Sequence, residues 1–324
     1  MAYSAKVIAQ ARQRLEQENN NKKQEYYARQ EQAYAKLPRV RQIDLQLFRN
    51  MSQAVQCALS PDADPVGVLS ACRQENEQLQ AEKDALVTEA FGPGYLQDPV
   101  CPNCGGQGYI GRTMCHCLEA MCRREQMDML LALGCGSGNF KDFRLEYYPE
   151  RIDPNFGASP RAIMEQNLKL SRRFADKFTG GNLLLTGGTG LGKTFLSACI
   201  ATQVAKQGFS VAYETAGNLF NKLEKDRFYP DEQSARQAQE LKDCDLLIID
   251  DLGTELPGSF VTAALYSLVN DRMLENKSTV ISTNLTVDEI AQRYNPQIAS
   301  RLQGAFRMLP FVGDDIRVLK NRGF

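Results

Sequence analysis

The chain has 324 residues, of which 43% are hydrophobic and 24% charged, with a formal net charge of -1. That length suits one large domain with smaller attachments, and the composition argues against extended disorder. The near-neutral balance excludes a global basic field, so any contact with nucleic acid must come from a local patch. No apolar signal region opens the chain and no stretch approaches the roughly 18 apolar residues that span a bilayer, so a cytoplasmic protein without membrane contact is expected. From Ala2 to about Leu37 the residues favour a long, largely solvated helix. Pro38 then starts a second helix, with Val40, Ile43, Leu47, Met51 and Val55 on one face that must pack on something. After a turn at Ser60–Pro65, Cys72, Leu79 and Leu86 recur every seven residues in a third helix, so the region reads as a helical hairpin, either an amphipathic prop or a docking arm.

A Gly/Pro-rich break at residues 91–99 leads into Cys101-Pro-Asn-Cys104-Gly-Gly and then Cys115-His-Cys117. Four of the ten cysteines thus fall in one short segment of a chain expected in a reducing compartment. The spacing fits four thiolates closing a tetrahedral structural Zn²⁺ site, with Gly105 and Gly106 making the tight turn; His116 or Cys122 are alternatives for one ligand. A closed site leaves no position for substrate. A short helix from Leu118 to about Leu133 and a linker at Gly134–Gly138 follow. The stretch Asn139–Tyr148, with Phe140 and Phe143, is a candidate lid.

Beyond the linker, apolar runs at 183–185, 211–213, 246–249 and 279–282 alternate with helical stretches, the pattern of a mostly parallel sheet covered on both faces. Gly187, Gly188, Thr189, Gly190, Leu191, Gly192, Lys193 and Thr194 match G-x-x-x-x-G-K-[ST] between a strand and a helix opening at Phe195. In such a loop, backbone amides and the helix N-terminus hold the phosphates of ATP, Lys193 reaches the β- and γ-phosphates, and the Thr194 hydroxyl ligates Mg²⁺. The strand Leu246–Ile249 ends in two carboxylates at the same edge of the sheet. Asp250 is expected to hold the Mg²⁺ shell and Asp251 to orient the attacking water; with one histidine, His116, in the chain, the general base should be a carboxylate. Asn284, after the next strand, either holds that water or caps the helix near Val287. Residues 218–229 offer Lys222, Lys225, Arg227, Phe228 and Tyr229 as a patch for single-stranded DNA, or else a solvated helix face.

The segments GGTGLGKT (187–194), LLIIDDLGTE (246–255), STN (282–284) and SRLQG (300–304) resemble the bacterial DnaC/DnaI-type helicase loaders, members of the AAA+ ATPases, and the related IstB-like transposition ATPases. The resemblance covers residues 140–324. It implies that Asn284 is the sensor-1 residue and that Arg301 is an arginine finger reaching a neighbouring subunit, with Arg293 as its rival. It also implies that Arg317 is the sensor-2 arginine and that the chain forms a homo-oligomer with ATP. Asp251 stands where most AAA+ proteins have Glu, which with the family's shared Asp pair suggests slow, switch-like hydrolysis. DnaI-like loaders carry a zinc module ahead of the ATPase and grip the replicative helicase with their N-terminal part, whereas IstB-like proteins differ there.

The expected organisation is therefore a helical partner-binding region at 1–92, a zinc-binding module and linker helix at 93–135, and an AAA+ α/β domain at 136–324. The function expected is an ATP-dependent loader of a DnaB-type helicase that contacts single-stranded DNA. The alternatives are a transposition helper ATPase and a nucleotide-gated adaptor with incidental hydrolysis.

Overall fold

The computed structural model describes residues 3–59, 65–132 and 138–321; most of the expected linker at 134–138 lies outside them. The chain forms two compact units, one of residues 13–117 and one combining residues 1–12 with 118–324. No helix among the described residues is long and apolar enough to cross a membrane.

In the first unit, α1 (Ala5–Lys36) stops one residue before α2 (Pro38–Leu59), whose first residue is the proline. A proline fixes φ and lacks an amide donor, so it suits a first helical turn and ends the preceding helix. The third helix, α3 (Pro65–Phe91), packs on α2. Val40 and Ile43 are fully buried, as are most of Leu79 and Val87. Among the described residues, the apolar face of α2 is covered toward its N-terminal end and open beyond it: Met51 is 60% and Val55 55% exposed, joined on the surface by Leu45 and Phe48. Polar contacts add to the thin core. Asp44 accepts from Tyr34 at 2.7 Å and from Lys83 at 2.6 Å, so one carboxylate ties three helices together. A two-stranded hairpin, β1 (Tyr109–Ile110) and β2 (Thr113–Met114), completes the unit.

The second unit is built on five parallel strands, β3 (Leu183–Thr186), β4 (Val211–Thr215), β5 (Leu246–Leu252), β6 (Ser278–Thr283) and β7 (Arg307–Pro310), in the order β4-β5-β6-β3-β7. The unit also carries α4 (His116–Ala132), most of whose residues belong to it. Helices α5 (Pro160–Asp176) and α6 (Lys193–Lys206) cover one face of the sheet. The other is covered by α7 (Ala216–Phe228), α8 (Glu232–Asp243), α9 (Ser259–Leu274), α10 (Val287–Arg293) and α11 (Pro296–Ala305). Successive residues of β5 serve the two faces in turn: Leu247 and Ile249 join one core, Leu246 and Ile248 the other. Burial on both faces is why these strands are continuous apolar runs. Edge strand β7 is not among the expected strands; it is four residues long, begins with exposed Arg307 and Met308 and ends in proline. A last helix, α12 (Ile316–Asn321), follows it.

At the end of the sheet away from the site, Arg272 is completely buried. Its guanidinium donates to the carbonyls of Leu241, Lys242 and Cys244 at 2.9 Å each, to the Ser278 carbonyl, and to Thr279 Oγ1 at 3.1 Å. Five acceptors satisfy the donors of a charge that would otherwise be costly to bury.

Candidate nucleotide-binding site and cysteine cluster

Because all five strands run the same way, the turns after Thr186, Leu252 and Thr283 open at one edge of the sheet, where parallel α/β proteins bind ligands. A cavity of about 570 Å³ lies there, lined by Thr189–Phe195, Asp251, Asn284 and Arg317, and by the segment Asp142–Tyr148. The glycine loop lies flush against the segment after β7. Gly190 has φ +72°, and a Cβ there would stand 1.9 Å from Asp315 Oδ1, so only glycine fits. The Ile316 amide donates to the Gly190 carbonyl at 3.0 Å. Gly192, at φ +90°, turns the chain into α6, which begins at Lys193.

Lys193 is 5% exposed, and its ammonium donates to the Gly187 and Gly188 carbonyls at 2.6 Å and to Asn284 Oδ1 at 2.7 Å. Burial lowers its pKa, opposed by the charges of Asp251 and Asp250. Asp250 is 3% exposed. Its Oδ1 accepts from Thr194 Oγ1 at 3.3 Å and from the Ser282 hydroxyl, and its Oδ2 accepts from Tyr213 at 2.9 Å. Thr194 and Asp250 thus offer adjoining hard oxygen donors, the set that suits Mg²⁺.

Asp251 has a left-handed φ of 55°, unusual for a side-chain-bearing residue. This irregularity near the end of β5 is held by the Asp251 amide, which donates to Ser282 Oγ at 2.9 Å, and by Thr254, whose hydroxyl donates to the Asp251 carbonyl at 2.9 Å. Burial first, and then the neighbouring Asp250 charge, raise the Asp251 pKa, against Lys193 and Arg317. A carboxylate shifted this way has more proton affinity than a solvated one, as a group that polarises water requires.

Asn284 is not a helix cap. Thr286 caps α10, reciprocally with Glu289, which leaves Asn284 facing Lys193. Arg317 lines the cavity. Arg301, on α11, does not: its guanidinium stacks 4.9 Å from the Tyr266 ring and donates to Asn270 and to the Tyr266 hydroxyl. Arg293 is committed elsewhere, paired at 3.3 Å with Glu255, whose side chain is 3% exposed. The segment expected as a lid consists of two single-turn 3-10 helices, Phe140–Asp142 and Leu145–Tyr147. Buried Tyr148 anchors it by donating to the Leu191 carbonyl at 2.7 Å, and Phe143 stacks on Tyr148.

Sequence reasoning did not single out Arg144, Ile316 and Lys320 at the cavity, nor the hydroxyls of Ser282 and Tyr213 on Asp250. Ser282 sat in the quoted STN segment and could have been read from it; the others had no local signal. Along 218–229, Lys222 pairs with Glu214 and Lys225 with Asp231, while Phe228 and Tyr229 are 57% and 76% exposed.

In the first unit, the sulfurs of Cys101, Cys104, Cys115 and Cys117 all lie within 4.8 Å of one another. Cys101 and Cys115 are 3.8 Å apart, and Cys104 and Cys117 3.4 Å. Zn–S bonds of about 2.3 Å in a tetrahedron put sulfurs about 3.8 Å apart, so the four thiols fit Zn²⁺. The Gly108 amide donates to Cys104 Sγ at 3.3 Å. His116 has its Nδ1 3.5 Å from Cys115 Sγ, beside the group, and Cys122 is buried outside it.

Residues 157–303 match the family described as IstB-like ATP binding protein. Replicative helicase loader DnaC of Escherichia coli (strain K12) is 24% identical over 139 residues, covering 42% of this chain and 56% of that protein. The Insertion sequence IS1162 putative ATP-binding protein of Pseudomonas fluorescens is 33% identical over 104 residues, or 32% of this chain and 44% of that one. The chain therefore spans about half the length of the curated relatives it matches. Among solved structures, the DnaC helicase loader aligns at 18% identity with a TM-score of 0.47, covering 55% of this chain and 99% of that one. The segment that carries the glycine loop, the acidic pair and Asn284 is an IstB-like ATP-binding domain, homologous to the DnaC/DnaI helicase loaders.

Proposed function

We propose that this protein is an ATP-dependent loader of a DnaB-type replicative helicase, working in the cytoplasm as a homo-oligomer formed with ATP. The observation that carries the catalytic half is the convergence of Lys193, Thr194, Asp251, Asn284 and Arg317 on one cavity, with buried Asp250 hydrogen-bonded to Thr194. In this reading the loop amides and Lys193 hold the phosphates. Thr194 and Asp250 would hold Mg²⁺, which when bound would supply charge neutralisation at the phosphates. Asp251 takes the proton of the attacking water, Asn284 fixes that water, and Arg317 balances charge leaving the γ-phosphate. Arg301 completes the site of a neighbouring copy, in keeping with its place outside its own cavity. Arg293, spent on Glu255, is the poorer candidate.

The helical region 1–92 holds the helicase, the module at 93–135 is stiffened by structural Zn²⁺, and 136–324 is the motor. The exposed stripe Leu45, Phe48, Met51 and Val55 on α2 supplies an apolar docking face of the kind proteins seldom leave uncovered. Exposed Phe228 and Tyr229, with Lys222, Lys225 and Arg227 on the same segment, supply a stacking surface for single-stranded DNA. Transposition is the second reading, favoured by the relative from an insertion sequence.

Size-exclusion chromatography with light scattering, run with ATP and Mg²⁺, separates the two. The full chain should co-elute with a DnaB-type helicase from its host, and Phe48→Asp should abolish that complex while leaving ATP binding intact. Failure of the unaltered chain to bind the helicase, with ATP-dependent assembly on duplex DNA instead, would move the assignment to transposition.

A further inference from the structure

Asp250 is almost wholly buried, and its carboxylate is held by hydroxyl groups from three different elements. Thr194 from α6 and Ser282 from β6 share Oδ1. Among the described hydrogen bonds, the donor on Oδ2 is Tyr213, from edge strand β4, at 2.9 Å. The same phenol lies 3.4 Å from the Thr194 carbonyl, so it touches both residues that offer oxygen donors to a divalent cation. A donor on each oxygen fixes the rotation of the carboxylate about its Cβ–Cγ bond, which neither donor on Oδ1 alone can do. β4 pairs with β5 so that Thr215 lies beside Asp250; Tyr213 stands two residues earlier, on the same face of the strand, within reach of that carboxylate.

We propose that Tyr213 is a positioning residue for the magnesium site, setting the plane of the Asp250 carboxylate and thereby the affinity for the cation that accompanies ATP. This rests on the nucleotide-binding reading above. The tyrosine ring is half-buried and borders a groove of about 810 Å³ along β4. Removing only its hydroxyl therefore leaves the packing of the sheet intact. Groups that orient a metal ligand typically contribute 10–100-fold in metal affinity.

The test is a Mg²⁺ titration of fluorescent ATP-analogue binding to the full chain, unaltered and Tyr213→Phe, with binding in EDTA and thermal melting measured alongside. Tyr213→Phe should raise the half-saturating Mg²⁺ concentration about tenfold while leaving Mg²⁺-free nucleotide affinity unchanged. A merely structural tyrosine would lower the melting temperature or weaken both kinds of binding alike, without the split, and that result overturns the proposal. So does an unchanged Mg²⁺ dependence in the variant when the unaltered chain responds to Mg²⁺, a result that leaves the ATP-binding reading standing. An unaltered chain that binds no nucleotide with or without Mg²⁺ removes both.

Discussion

The two compact units solve the problem of stability differently. The sheet-containing unit buries strands from both sides, so that Leu184, Leu185, Ile248 and Ile249 have no exposed surface, and its polar residues are free to converge at one edge. Among the described residues the helical unit has few such positions, leaves half of an apolar helix face in solvent, and adds point attachments, the Asp44 carboxylate and the Asn50–Asn76 amide pair, beside four cysteines placed to hold a metal ion. A unit with a thick core can spend residues on a site. One with a thin core needs staples.

Metal removal should break this contrast most sharply. Structural zinc contributes on the order of 10 kcal/mol to small metal-dependent folds. Cys104→Ser, or chelation of the unaltered chain, should therefore release the zinc and abolish amide-exchange protection in residues 13–117, with the sheet of the other unit still protected. Retained protection around the cysteine cluster after the metal has gone would show that the helical unit does not depend on this staple.

Core truncation sharpens the comparison at a smaller scale. Leu184→Ala, at a fully buried strand position, should cost about 3 kcal/mol or more in denaturant unfolding of the sheet-containing unit. Leu79→Ala, at a position 7% exposed on α3, should cost about 2 kcal/mol, the low end for such truncations. Equal losses would mean that the helical unit is packed as tightly as the sheet.

What the sequence revealed divides along the same physical line. The glycine loop, the acidic pair and the cysteine spacing are contiguous, and their chemistry is set by neighbours a few residues away. The parts not foreseen depend on distant partners. Tyr148 reaches Leu191, Ile316 reaches Gly190, and Tyr213 reaches Asp250, and no local pattern marks those pairs. The uncovered end of α2 has the same origin, since periodicity reports that a face is apolar and not how much of it a neighbour covers. Asn284 shows the converse: both of its readings were locally reasonable, and the capping one falls to Thr286, while Asn284 accepts from Lys193.

The measurement that tests the central claim most directly is phosphate release from ATP by the full chain with Mg²⁺, alongside nucleotide binding, for the unaltered protein, Lys193→Ala and Asp251→Asn. The account predicts slow release by the unaltered chain. Lys193→Ala should lose both binding and release, and Asp251→Asn should keep binding while release falls at least 100-fold, the scale expected for a missing general base (~10² or more). Release by Asp251→Asn equal to that of the unaltered chain would contradict it.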